Sequence, residues 1–247
     1  MVYMLKSFCF SQSAVALLFS SLALLACEKQ QMSGNTTIIP MQPDTAASAA
    51  KTYLALGDSY TIGQSVQANE RFPYLTAKAL RSQGLNVQDP QYIATTGWTT
   101  VDLQTAINQE NPGPHYDIVT LLIGVNDQYQ HRDTADYRIR FTQLLNKAIS
   151  LADNRRNRVF VLSIPDYSAT PFVGAGSKAM VSTEIGWFNA INKEITLQYH
   201  IAYIDITPLT LEVATDASLQ ASDNLHYSGK EHQKWADLLA PVIRNSF

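Results

Sequence analysis

Long apolar runs, cysteines and surplus positive charge are all scarce in this chain, and each scarcity excludes a class of protein. Two Cys in 247 residues cannot support a disulfide scaffold or a zinc finger. Eighteen Lys+Arg against 21 Asp+Glu give a net charge of −3. No basic surplus is available to neutralise a phosphate backbone, so nucleic acid is not an expected partner. Only 16% of residues are charged, but 46% are hydrophobic, too apolar a balance for a disordered chain. Gly and Pro follow no period, which excludes collagen-like sequence. No H-E-x-x-H is present and the histidines show no metal-ligand spacing, so neither metal nor organic cofactor is expected. His115, His131, His200 and His232 read as surface or loop residues. There is no G-x-S-x-G, which excludes the nucleophile elbow of the α/β-hydrolases.

The N-terminus reads as an export signal. Lys6 is the only charge before Glu28, and Ala14 to Ala26 is apolar but too short to span the roughly 30 Å hydrocarbon core as a helix. Leu24-Leu25-Ala26-Cys27 resembles the lipobox of bacterial lipoproteins, which implies lipidation of Cys27 and loss of residues 1–26. An uncleaved anchor, or an ordinary leader with a coincidental Cys, is the alternative. Glu28 after the Cys, rather than Asp, resembles the Gram-negative pattern for outer-membrane sorting. Residues 27–50 are polar and aperiodic and read as a tether with a reach on the order of 25 Å. Residues 51–247 are then one folded domain, tied to the bacterial envelope through lipid.

Within that domain, β-like runs alternate with helical periods. Tyr53–Leu56, Tyr92–Ala94, Ile118–Ile123, Val159–Ile164 and Ala202–Ile206 read as strands. The charge-free run Ile118–Ile123 suits a strand covered on both faces. Helical spacing joins Phe72, Leu75, Ala79 and Leu80; Phe141, Leu144, Leu145, Ala148 and Ala152; and Phe188, Ile191, Ile195 and Tyr199. Trp235, Leu238, Leu239 and Val242 are expected to line a closing helix, and Thr99 with Asp102 forms a capping-box pattern. Five strands interleaved with helices predict a three-layer α/β/α fold on a parallel, doubly wound, flavodoxin-like sheet. In such sheets ligands bind beyond the strands' C-terminal ends, at the switch in strand order.

Two candidate residues follow strands directly. Ser59, in Gly57-Asp58-Ser59-Tyr60, needs a base to become a nucleophile. The base candidate is His226, with Asp223 three residues earlier, where one helical turn would face the two together. Asn126, in Gly124-Val125-Asn126-Asp127, can donate to a developing oxyanion, and Gly97 offers a backbone N–H on an unencumbered loop. Asp127 reads as a cap or support. Residues 168–183, with Phe172, Val173, Met180 and Val181 among small residues, read either as an ordinary long loop or as a mobile flap over an acyl group, with a lean to the flap.

Each motif alone is weak, because Gly, Asp and Ser are ordinary turn formers. Their order and strand-exit placement together are not. The four blocks resemble the SGNH superfamily, also called GDSL hydrolases, from Thr52 to the C-terminus. The departure is Tyr60, where the eponymous motif has Leu; that position is expected to support the turn. The resemblance implies Ser59 as nucleophile, His226 as general base and acid, and Asp223 as its orienter. It also implies an oxyanion hole of the Ser59 and Gly97 N–H groups with the Asn126 side chain. The implied activity is carboxylic ester hydrolysis through an acyl-serine, in the manner of esterases, lipases and lysophospholipases. The implied substrate is a small-molecule, lipid or acylated-glycan ester. A carbohydrate O-acetylesterase acting on envelope or extracellular glycans is the nearest rival, and a non-catalytic envelope binding module the next.

Overall fold

A computed structural model of the chain describes residues 49–247. The signal, the lipobox with Cys27 and nearly all of the tether lie outside the described residues. The described chain runs β1 (Tyr53–Gly57), α1 (Ser59–Ile62), α2 (Phe72–Ser82), β2 (Gln91–Ala94), α3 (Thr100–Glu110), β3 (Ile118–Leu122), α4 (Val125–Tyr129) and α5 (Thr134–Leu151). It continues through β4 (Val159–Leu162), α6 (Lys178–Gln198), β5 (Ala202–Ile204), α7 (Thr207–Thr210) and α8 (Gly229–Arg244).

The five strands form one wholly parallel sheet in the order β2-β1-β3-β4-β5. Every residue of β1, β3 and β4 is buried, as continuous apolar runs between two helical layers require. Helices α3, α5 and α6 pack in succession on one another, and α2 packs on α8. The strand order reverses between β1 and β3, so the crevice of the doubly wound sheet opens beyond Gly57 and Leu122. Among the described residues no helix is long and apolar enough to cross a membrane.

Three local expectations are corrected. The buried face of α8 carries Trp235, Ala236, Leu239, Ala240 and Ile243, whereas Leu238 and Val242 lie off it, 42% and 37% exposed. Alanines, which read weakly as apolar, fill that face. His232 is buried rather than superficial. Its ring stacks on Phe72 and lies 4.6 Å from Trp235, and its Nδ1 accepts the Phe72 N–H at 3.2 Å. Burial pushes its pKa down to about 3, with the nearby charges of His226 and Arg71 adding to the effect. Residues 168–183 are not one loop, because α6 already begins at Lys178. The part before it is pinned by Asp166, whose carboxylate accepts the Ser168 N–H at 2.9 Å and the Ser182 hydroxyl.

Candidate active site

The first βα turn is forced tight. A Cβ at Gly57 would collide with Thr61 Oγ1 and the Leu122 carbonyl, so only glycine lets α1 begin directly after β1. Asp58 caps that helix, its Oδ1 accepting the Tyr60 N–H at 3.0 Å. Its other oxygen is buried without a hydrogen-bond partner, and burial pushes the carboxyl pKa up to about 8. Ser59 is the first residue of α1, so its N–H has no acceptor within the helix and is free to face a ligand.

The strand β3 delivers Asn126 in the same way, as the second residue of α4. Its Nδ2 donates one hydrogen to the Trp98 carbonyl at 2.9 Å, which orients the amide and leaves the second hydrogen available. Asp127, fully buried, accepts the Thr100 N–H at 2.8 Å and the Thr100 hydroxyl at 2.7 Å. It therefore holds the start of α3 against α4, the supporting role expected of it. The capping box of Thr99 and Asp102 also forms.

Asp223 and His226 come together by a different route from the expected helical turn. Residues 222–226 form a turn in which Asn224 takes a left-handed φ of 64°. Asp223 Oδ1 accepts the N–H groups of Leu225 at 3.0 Å and His226 at 2.8 Å, and its Oδ2 lies 2.7 Å from His226 Nδ1. Burial alone would raise the Asp223 pKa. Hydrogen bonds from the Ser65 hydroxyl, the two backbone N–H groups and the imidazole prevail and hold it far below the usual carboxylate range. Ser65 comes from the loop after α1, at φ 67°, and carries no sequence signal for this role.

Ser59, Asn126 and His226 line a single cavity of ≈ 180 Å³. Its remaining walls are Tyr60, Val125, Tyr129, Tyr167, Phe172 and Leu225. Tyr60 is more than a turn support: it is buried, lines the cavity, and sets its ring against that of His226 at 5.5 Å and 64°. Gly97 is not in the cavity wall. It sits on the adjoining loop, next to the Trp98 carbonyl that Asn126 grips, at φ +86 with nothing near its missing Cβ. Its left-handed backbone, rather than crowding, calls for glycine there. None of the cavity's aromatic walls beyond Tyr60 belongs to a motif, so spacing alone had no means of finding them. An imidazole tethered to a carboxylate, beside a hydroxyl and an amide in a largely apolar cavity, can move a proton and receive a developing anion.

Among known proteins, solved structures share this fold at low identity. A lipase/acylhydrolase from Enterococcus faecalis aligns with a TM-score of 0.63 and 18% identity, over 79% of this chain and 96% of that one. Phospholipase A1 from Streptomyces albidoflavus aligns at 0.57 and 18%, over 81% and 100%. An acetyl xylan esterase from Geobacillus stearothermophilus aligns at 0.55 and 16%, over 78% and 94%. A search of curated proteins found no match. The profile of the GDSL-like Lipase/Acylhydrolase family matches residues 55–234. That span runs from within β1 to the middle of α8 and takes in Ser59, Asn126 and His226. The chain belongs to the GDSL-like lipase/acylhydrolase family and is an ester-hydrolysing enzyme.

Proposed function

We propose that the protein hydrolyses carboxylic esters through an acyl-Ser59 intermediate, with His226 as general base and acid and Asp223 as its orienter. The observation that carries this reading is the shared cavity of Ser59, Asn126 and His226, with His226 Nδ1 2.7 Å from Asp223 Oδ2. With Nδ1 held by the carboxylate, Nε2 takes the Ser59 proton as Oγ bonds to the ester carbonyl carbon. The tetrahedral oxyanion is received by the N–H of Ser59 and the free amide hydrogen of Asn126, residues that line the cavity. The N–H of Gly97, on the adjoining loop beside Trp98, is the third donor only if that loop turns it towards the cavity. Each such donor contributes about 3 kcal/mol to the transition state. Collapse breaks the bond to the alcohol oxygen, which leaves with the proton from His226. Water then repeats the sequence on the acyl-serine, yielding the acid and free Ser59.

A fluorophosphonate probe should label the wild-type protein, fail on Ser59→Ala, and label His226→Ala far more slowly. Asn126→Ala should still be labelled but lose about 10²- to 10³-fold in turnover. Absence of labelling on folded wild-type protein would favour a non-catalytic binding module instead. A carbohydrate O-acetylesterase is the second reading, favoured by the half-exposed rings of Tyr129 and Phe172 at the cavity, which suit stacking on a sugar. Acetylated sugars assayed beside p-nitrophenyl esters and lysophospholipids separate the two.

The leader and lipobox support placing the enzyme in a bacterial envelope, outer membrane favoured, held by lipid on Cys27. Cys27→Ser should move the protein from the membrane fraction to the soluble one. Unchanged partition would refute lipidation at that residue.

A further inference from the structure

The catalytic cavity has an inner end and an outer wall. Ser59 and His226 are only 4% and 8% exposed, whereas Tyr129 and Phe172 are 55% and 47% exposed. We propose that Phe172 is a specificity-determining residue whose ring closes the outer wall and limits the acyl group to about six carbons. The proposal rests on the reading of Ser59 as the acyl-accepting nucleophile, and three observations carry it.

The first is size and chemistry. Apart from Ser59, Asn126 and His226, the cavity is walled by aliphatic and aromatic side chains, and its volume is ≈ 180 Å³. An apolar cavity of about 150 Å³ takes up a benzene ring, so this one shelters roughly six carbons of an acyl chain, and a longer chain has to pass the half-exposed outer rings to continue. The second is the position of Phe172 among the rings. It lies 6.3 Å from Tyr129 and 6.4 Å from Tyr167, and is the ring common to both contacts. Removing it opens the wall between the other two to solvent.

The third is that Phe172 is fixed in place. Its N–H donates to the Asn224 carbonyl at 3.0 Å, and Asn224 lies within the turn that joins Asp223 to His226. The next residue, Val173, is buried in the core. The Phe172 backbone therefore cannot swing outward without pulling on the turn that positions the base. A wall tied in this way acts as a stop for the acyl chain, and a chain too long for the cavity meets the ring.

The test is kcat/KM of the full-length protein on p-nitrophenyl esters from two to twelve carbons, with Phe172→Ala and Phe172→Trp beside the wild type. Burial of each added methylene should raise the wild-type value up to about fourfold. The rise should end near six carbons and the value should fall beyond it. Phe172→Ala should raise the ratio of ten-carbon to four-carbon activity at least tenfold, and Phe172→Trp should move the maximum to shorter chains. Thermal melts and fluorophosphonate labelling of each variant establish that the fold and Ser59 are intact. One chain-length profile common to all three active proteins would overturn the role of Phe172 and leave the esterase reading standing. So would a wild-type enzyme that treats ten- and six-carbon esters alike. A folded wild type that neither labels nor hydrolyses any ester would overturn the underlying reading, and the inference with it.

Discussion

Two carboxylates near the site have opposite fates. Asp223 accepts hydrogen bonds from Ser65, Leu225, His226 and the imidazole, and is held ionised. Asp58 accepts one backbone N–H on one oxygen and nothing on the other, and holds its proton up to about pH 8. The unfolded chain releases the Asp58 proton near its ordinary value of 3.8. Its contribution to stability is therefore full below pH 3.8 and is lost as pH rises through about 8. Asp58→Asn carries no such proton. Between pH 4 and 8 its melting temperature should gain steadily on that of the wild type, and a constant gap in parallel melts would show that Asp58 ionises normally. At this scale the sequence displayed Ser59, Asn126, Asp223 and His226, because each sits where a short motif leaves a strand or precedes a helix. Ser65, Tyr129 and Tyr167 were not legible, and Phe172 was visible only as one apolar residue of the stretch read as a flap over an acyl group. They reach the site through turns and ring contacts that link positions far apart in the chain.

Helices show what periodicity conveys and what it misses. The runs of β1, β3 and β4 were readable because both faces are covered, and the Thr99 capping box because it is written in adjacent residues. Helix α8 was placed correctly but rotated. Reading Leu238 and Val242 as core overlooked that Ala236 and Ala240 are the residues facing inward. His232 belongs to the same face, buried between Phe72 and Trp235, and this has a measurable consequence. The folded protein keeps His232 neutral down to about pH 3, while the unfolded chain protonates it below about 6.5. The stability that follows is complete above pH 6.5 and is lost as pH falls towards 3. Within that window urea unfolding should show a slope of about 1.4 kcal/mol per pH unit from this residue. His232→Gln can still accept from the Phe72 N–H but cannot titrate. Its stability should depend less steeply on pH by about that amount, and identical slopes would remove His232 from the acid sensitivity.

For the whole molecule, the parallel sheet separates structural and chemical ends. The main apolar core runs from Tyr53 to Ile243, and Lys51 already joins the fold through its bridge to Val87. A chain of residues 49–247 should therefore fold alone and hydrolyse soluble esters at the rate of the full-length protein. Comparison of melting temperatures and kcat/KM checks this, and a fragment that fails to melt cooperatively would refute it. The architecture was legible at this scale because βα alternation and strand order follow from few rules. The cavity's capacity was not, since it depends on which side chains converge from α4, the segment before α6 and the turn before α8.

The chain enters the sheet at the start of β1, where Lys51 Nζ lies 5.7 Å from the Phe247 ring, and Arg158, just before β4, stacks on that ring at 3.4 Å. Positions 51 and 247 thus share the pole of the sheet remote from Ser59, a strand's length of about 16 Å away. Grafting the enzyme to a bead or a carrier protein by either position directs its mouth outward, towards whatever the surrounding liquid brings.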